Sequence, residues 1–184
     1  MKKMYVLIGN YGSGKTELAL NFAFRAAARG ERTELLDLDM VNTYFRLTER
    51  GRMTRMKEIR IVSPNYANSS VDLPALPAEV YSLVRRHDRC AIFDVGGDDR
   101  GAVALGRYVP DILAENDYEM YFVANFCRPL TRSAEEALSV MREIEEACRL
   151  PFTAIINNSN LGDETTAQTV LQTESRVREL CALS

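Results

Sequence analysis

Tryptophan is absent from the chain, histidine occurs once, and the four cysteines stand far apart at Cys90, Cys127, Cys148 and Cys181. The one histidine, His87, lies among Arg85, Arg86, Asp88 and Arg89, and neither a metal centre nor a nucleophile constellation can be built around it. No Cys-x-x-Cys pair occurs, which removes the usual zinc spacings and a thioredoxin-like motif. Reduced thiols packed in or near a core are the expectation. No apolar run approaches the ~20 residues of a membrane span. Lys2 and Lys3 precede Met4-Tyr5-Val6-Leu7-Ile8, which is too short for a secretory h-region, so the expected location is cytoplasmic. Positive charge is not in excess either. The net charge of -3 argues against nucleic-acid binding over the whole surface.

The 184 residues fit a single domain, 1–184, large enough to bury a core without disulfide or metal staples. Short apolar runs alternate with helical patterns. Strands are expected at Met4 to Ile8, Thr33 to Leu38, Ile59 to Val62, Ala91 to Val95, Glu119 to Asn125 and Phe152 to Asn157. Helices are expected at Glu17 to Arg29, Ala78 to Arg86, Ser133 to Arg149 and Glu164 to Leu180. Gly30 supplies a stop for the first helix, and Ser133 with Glu136 has the spacing of a capping box. Asp72 to Pro77 is a proline-punctuated loop. This order implies a three-layer α/β fold: a mostly parallel sheet of five or more strands flanked by helices. Ligands in such sheets sit beyond the carboxyl ends of the strands, where the polar clusters of this chain fall.

The strongest of those clusters is Gly9-Asn10-Tyr11-Gly12-Ser13-Gly14-Lys15-Thr16, a full G-x-x-x-x-G-K-[ST] match between the first strand and the first helix. Its glycines let successive main-chain N–H groups turn inward around phosphates, and the helix start at Gly14 adds its dipole to the anion site. Lys15 is expected to reach the β- and γ-phosphates and the Thr16 hydroxyl to ligate Mg²⁺. A carboxylate from a neighbouring strand should complete the site, and Cys90-Ala91-Ile92-Phe93-Asp94 supplies one, with Asp94 holding Mg²⁺ through water. Asp94-Val95-Gly96-Gly97 also fits D-x-x-G, in which the Gly97 N–H touches a γ-phosphate. Asp98 and Asp99 read equally as solvated turn carboxylates.

Asp37-Leu38-Asp39 closes the second strand, expected beside the phosphate loop, with two carboxylates pointing the same way. One, Asp37, would complete the water shell of Mg²⁺. The other, Asp39, would orient the attacking water or accept a substrate proton. A plain acidic β–α turn is the competing reading.

Together, YVLIGNYGSGKTELAL, LLDLDMVNTYFR, DLPALP, FDVGGDDRGAVALGRY and NNSNLG resemble the CobQ/CobB/MinD/ParA nucleotide-binding-domain-like proteins over essentially the whole chain. The resemblance implies that Lys15, Thr16, Asp37, Asp39 and Asp94 handle ATP and Mg²⁺. It also implies nucleotide-controlled dimerisation, hence a homodimer, and a protein partner. One position departs from the pattern. MinD and ParA carry an extra lysine near the start of the loop, where this chain has Asn10 beside Tyr11, so the cation bridging a sandwich dimer is missing. Arg46 and Arg100 flank the site as substitutes or as ordinary surface arginines.

After the last strand, Asn157-Asn158-Ser159-Asn160 lacks the lysine and aspartate of a guanine-reading N-K-x-D, which favours ATP. Asn157 resembles the family's adenine-facing asparagine; an Asx-turn is the alternative. The basic stretch Arg46, Arg50, Arg52, Arg55, Lys57 and Arg60 is interspersed with Glu49 and Glu58 and reads first as a solvated helix face. The apolar face of the last helix, with Val170, Val177 and Leu180, reads as packing on the sheet, with no strong membrane signal. The leading functional expectation is a slow Mg²⁺-dependent ATPase acting as a nucleotide switch for a protein partner. A shikimate-kinase-like small-molecule kinase, with Arg128 and Arg132 as lid arginines, and a non-hydrolysing ATP-dependent scaffold are the alternatives.

Overall fold

The computed structural model describes residues 4–38, 59–62, 78–85, 88–97 and 99–184, with backbone alone at 78, 79, 99 and 100. Asp39, Asn42, the basic stretch from Arg46 to Lys57, the proline-punctuated loop, His87 and Asp98 lie outside the described residues, as do the side chains of Asp99 and Arg100.

Six strands form one sheet: β1 (Met4–Gly9), β2 (Thr33–Leu38), β3 (Ile59–Val62), β4 (Cys90–Gly96), β5 (Tyr118–Ala124) and β6 (Ala154–Asn157). Their order is β3-β2-β4-β1-β5-β6, and every pairing is parallel. The strands read as near-continuous apolar runs because helices cover both faces. The period-two alternation sorts their side chains into two cores. Tyr5, Leu7, Leu35, Ile92 and Val123 face α1 (Lys15–Ala27), which meets them through Ala19, Leu20, Ala23, Ala26 and Ala27. Alanines on this face let the helix lie close to the sheet. The opposite face, with Val6, Ile8, Leu36, Phe93, Val95 and Phe122, carries α2 (Ala78–Arg85), α3 (Asp99–Gly106), α4 (Val109–Glu115), α5 (Ala134–Cys148) and α7 (Glu174–Leu183). Together these make three layers.

Local signals explain most boundaries. The α5 cap is the expected box: the Ser133 hydroxyl accepts from the Glu136 N–H at 3.2 Å, while Glu136 accepts from the Ser133 N–H at 3.3 Å. From that start Ala134, Ala137, Met141, Ile144 and Cys148 form one buried stripe at helical spacing. Among the described residues no helix is long and apolar enough to cross a membrane.

Four expectations need correction. β2 is not beside the phosphate-loop strand; β4 lies between it and β1. Hydropathy identifies a strand but does not rank its neighbours, and the two runs buried at every position, β4 and β1, took the two central places. Asp94 sits two residues inside β4 rather than at its end. Asp99 begins a helix instead of prolonging a turn, and α3 and α4 were not foreseen. Pro110 in the first turn of α4 and left-handed Asn116 (φ 47°) after it were the available cues. The single closing helix is three pieces, a 3₁₀ turn at Gly162–Glu164, α6 (Ala167–Leu171) and α7. Threonine hydroxyls cut it. Thr166 caps α6 by accepting from the Thr169 N–H at 3.2 Å, and Thr173 donates to the Val170 carbonyl at 2.8 Å.

Candidate functional site

The segment between β1 and α1 wraps tightly on itself. The Ser13 N–H donates to the Asn10 carbonyl at 3.1 Å, and the Tyr11 N–H donates to the Asn10 side-chain oxygen at 2.7 Å. Gly12 and Gly14 have φ of +75° and +82°, and a Cβ on Gly14 would stand 2.4 Å from the Asn158 amide nitrogen. Only glycine meets both conditions there. α1 then starts at Lys15, two residues earlier than its composition suggests, because left-handed Gly14 serves as its N-cap. The N-terminal turn of α1 therefore faces the loop, an arrangement suited to an anion. Lys15 is only 5% exposed, Thr16 is half-buried, and Tyr11 projects with 72% exposure.

Beside this loop, Asp94 is 1% exposed on β4, where its register partners are Leu7 on β1 and Asp37 on β2. Leu7, Leu35 and Ile92 belong to the core facing α1, so alternation puts Asp37 and Asp94 on that face as neighbours. A buried carboxylate is stable only when charge compensates it, and two in adjacent register add mutual repulsion. Hard oxygen donors here match Mg²⁺, which binds through one or two carboxylates, keeps several waters, and takes its remaining ligands from phosphate. The donor set of Thr16, Asp37 and Asp94 fits that ion. Among the described residues no group of three or more His, Cys, Asp or Glu forms a closed metal cage, and a Mg²⁺ site of this type requires none.

Gly97 comes one residue after β4 reaches the level of Gly9, since Gly96 pairs with Gly9. A Cβ on Gly97 would lie 2.0 Å from the Gly9 carbonyl oxygen and 2.9 Å from the Asn10 nitrogen. The turn that follows β4 thus touches the root of the phosphate loop directly.

The outer wall of the loop is braced by amides. Asn125, 1% exposed after β5, donates to the Gly12 carbonyl at 3.1 Å and the Asn160 carbonyl at 3.3 Å, and its side-chain oxygen accepts from the N–H groups of Cys127 and Asn160. Asn158 donates to the Ser13 carbonyl at 2.7 Å. The roles of both as braces were not visible in the sequence, where the only cue was a polar residue closing an apolar strand. Asn157 makes hydrogen bonds of the Asx-turn kind. Its amide donates to Thr173 Oγ1 at 3.0 Å and its oxygen accepts from Ser159 Oγ at 2.7 Å, so it works as an Asx-type latch between β6 and the α6–α7 junction. Gly97 thus meets Gly9 and Asn10, Asp37 and Asp94 are register partners on adjacent strands, and Asn157 is tied to Thr173.

No family model and no curated protein matches the chain. Solved structures do. FtsY from Mycoplasma mycoides is similar at a TM-score of 0.51 and 16% identity, over 96% of this chain and 57% of that one. The nucleotide-binding protein in complex with ADP from Archaeoglobus fulgidus gives 0.49 and 13%, covering 99% and 77% of the two chains. The BceF tyrosine kinase domain gives 0.47 and 14%, covering 84% and 67%. The chain thus spans little more than half the length of that FtsY. At such identities the likeness is one of fold. The class it defines, with the six-stranded parallel sheet and its glycine-rich loop, is the three-layer P-loop NTPase fold.

Proposed function

We propose that the chain is an ATP-binding P-loop protein that hydrolyses Mg·ATP slowly and presents its nucleotide state to a protein partner. The main-chain amides around Gly12 to Thr16 and the Lys15 ammonium bind the phosphate chain. Thr16, Asp37 and Asp94 would hold Mg²⁺, which supplies charge neutralisation for the β- and γ-phosphates. Asp39, one residue past β2, is assigned the orientation of the attacking water. The observation that carries the switch reading is Gly97 seated on the Gly9 carbonyl. Because that turn leads straight into α3, loss of a γ-phosphate contact at Gly97 shifts a helix that a partner can read. Absence of N-K-x-D after β6 favours adenine over guanine.

Calorimetry with Mg·ATP and Mg·GTP, followed by a phosphate-release assay without added substrate, tests the proposal. The expected result is ATP binding in preference to GTP and slow phosphate release. Lys15→Ala should abolish binding without unfolding the protein; unchanged ATP affinity in that variant refutes the assignment. ADP formation that depends on an added metabolite would transfer the site to the kinase class, and tight binding with no turnover would make it a scaffold.

A further inference from the structure

The β5–α5 connection, residues 125–133, brings one cation to the phosphate loop. A Cβ added at Gly12 would stand 3.1 Å from Arg128 Nε and 3.3 Å from its Cζ, so the guanidinium lies close against the middle of the loop. Nothing about this placement is loose. Asn125 ties the connection to the Gly12 carbonyl, the Arg128 N–H donates to the Asn125 carbonyl at 3.2 Å, and Thr131 Oγ1 donates to the same carbonyl at 2.7 Å. Pro129 stiffens the next step. Yet the side chain itself is exposed, and among the described residues no carboxylate forms a salt bridge with it.

Such a position is electrostatically unfavourable for an arginine in isolation. Lys15, the opening turn of α1 and the inward amides already make the loop positive, and like charge repels. An anion in the cradle reverses the sign of that interaction. Between Gly9 and Thr16 the only lysine is Lys15, so the loop's own residues bring a single ammonium to a phosphate chain.

We infer that Arg128 is the second cation of the nucleotide site, a guanidinium supplied in cis by the β5–α5 connection that hydrogen-bonds the phosphate chain from outside the loop. The inference rests on the nucleotide-binding reading above. A guanidinium offers paired N–H donors matched to phosphate oxygens, so the charge and the fork both matter.

Titration of the full chain with Mg·ATP and, separately, with Mg·tripolyphosphate tests this, because tripolyphosphate has the phosphate chain and no base. Arg128→Ala should weaken both ligands by about 10- to 100-fold, the effect of one or two charge-assisted hydrogen bonds. Arg128→Lys should recover part of the loss for both. Neither variant should unfold at a lower temperature than the wild type without ligand, since the side chain is exposed and lies beside positive groups. Weakened ATP with unchanged tripolyphosphate would assign the guanidinium to the base and overturn the inference, as would unchanged affinity for both. Failure of the wild type to bind either ligand is a different outcome, and it removes the nucleotide reading itself.

Discussion

Strands β4 and β6 both end beside the phosphate loop, but they are made of opposite materials. β4 is buried at every position, lies between β1 and β2, and delivers a carboxylate and a pair of glycines. β6 lies at the end of the sheet, is half-buried to exposed, and delivers neutral amides. The difference follows from dielectric environment. A carboxylate deep in the sheet feels a nearby cation strongly, so the buried strand is where charge can organise an ion and a phosphate. At the wetter edge a charge would be screened, whereas an amide still finds main-chain carbonyls to hold. Charge handling and bracing are thereby divided between the two sides of the loop.

That division can be broken at several points. The largest effect is expected for Asp94→Asn, which keeps the shape and removes the charge. Mg²⁺-dependent tightening of ATP should fall by about 100-fold, the size seen when a residue acting on a metal through its ligands is lost. Titrations with and without Mg²⁺ check it, and an equal loss in both would deny the carboxylate its ion. Next is Gly97→Ala. The added Cβ meets backbone rather than a yielding side chain, so the variant should lose about 1–3 kcal/mol of stability in chemical denaturation. A variant as stable as wild type would show that the turn does not rest on Gly9.

On the opposite side, Asn158→Ala should cost about 1 kcal/mol, one hydrogen bond to the Ser13 carbonyl, and leave Mg²⁺ dependence unchanged. Altered Mg²⁺ dependence there would erase the distinction between the two strands. A further effect concerns pH. Burial of Cys90 at the start of β4 pushes its thiol from 9.0 up to about 12. A raised folded-state value means the contribution is intact below pH 9.0 and is lost as pH climbs towards 12. Unfolding free energies of wild type from urea titrations should therefore fall more steeply above pH 9.0 than those of Cys90→Ala, by at most ~1.4 kcal/mol per pH unit. Parallel slopes would show that the thiolate is tolerated in place.

Much of this architecture could be read before any coordinates. All six strands fall within two residues of their expected bounds, and the capping box of α5 was legible as Ser133 and Glu136. The glycine-rich loop stands between β1 and α1 where its pattern demands. These features are local, set by hydrophobic period, by a side chain reaching three residues along, or by φ angles that favour glycine. The breaks at Thr165 to Thr166 and at Thr173 were missed. Local hydroxyl bonds of Thr166 and Thr173 interrupt the helix, and at Thr173 the side chain is also held by Asn157 from another element.

What the residue order determined by itself was the inventory: a parallel α/β domain, a phosphate-cradling segment, and an aspartate in the strand that follows the middle of the chain. Folding alone decided that β4 would separate β2 from β1, that Asp37 and Asp94 would share a level, that Gly97 would press on Gly9, and that Arg128 would lie across Gly12. Local sequence sets the dihedral angles of a segment. The company a side chain keeps depends on which buried surfaces find each other across many intervening residues, and no short window of residues contains that information.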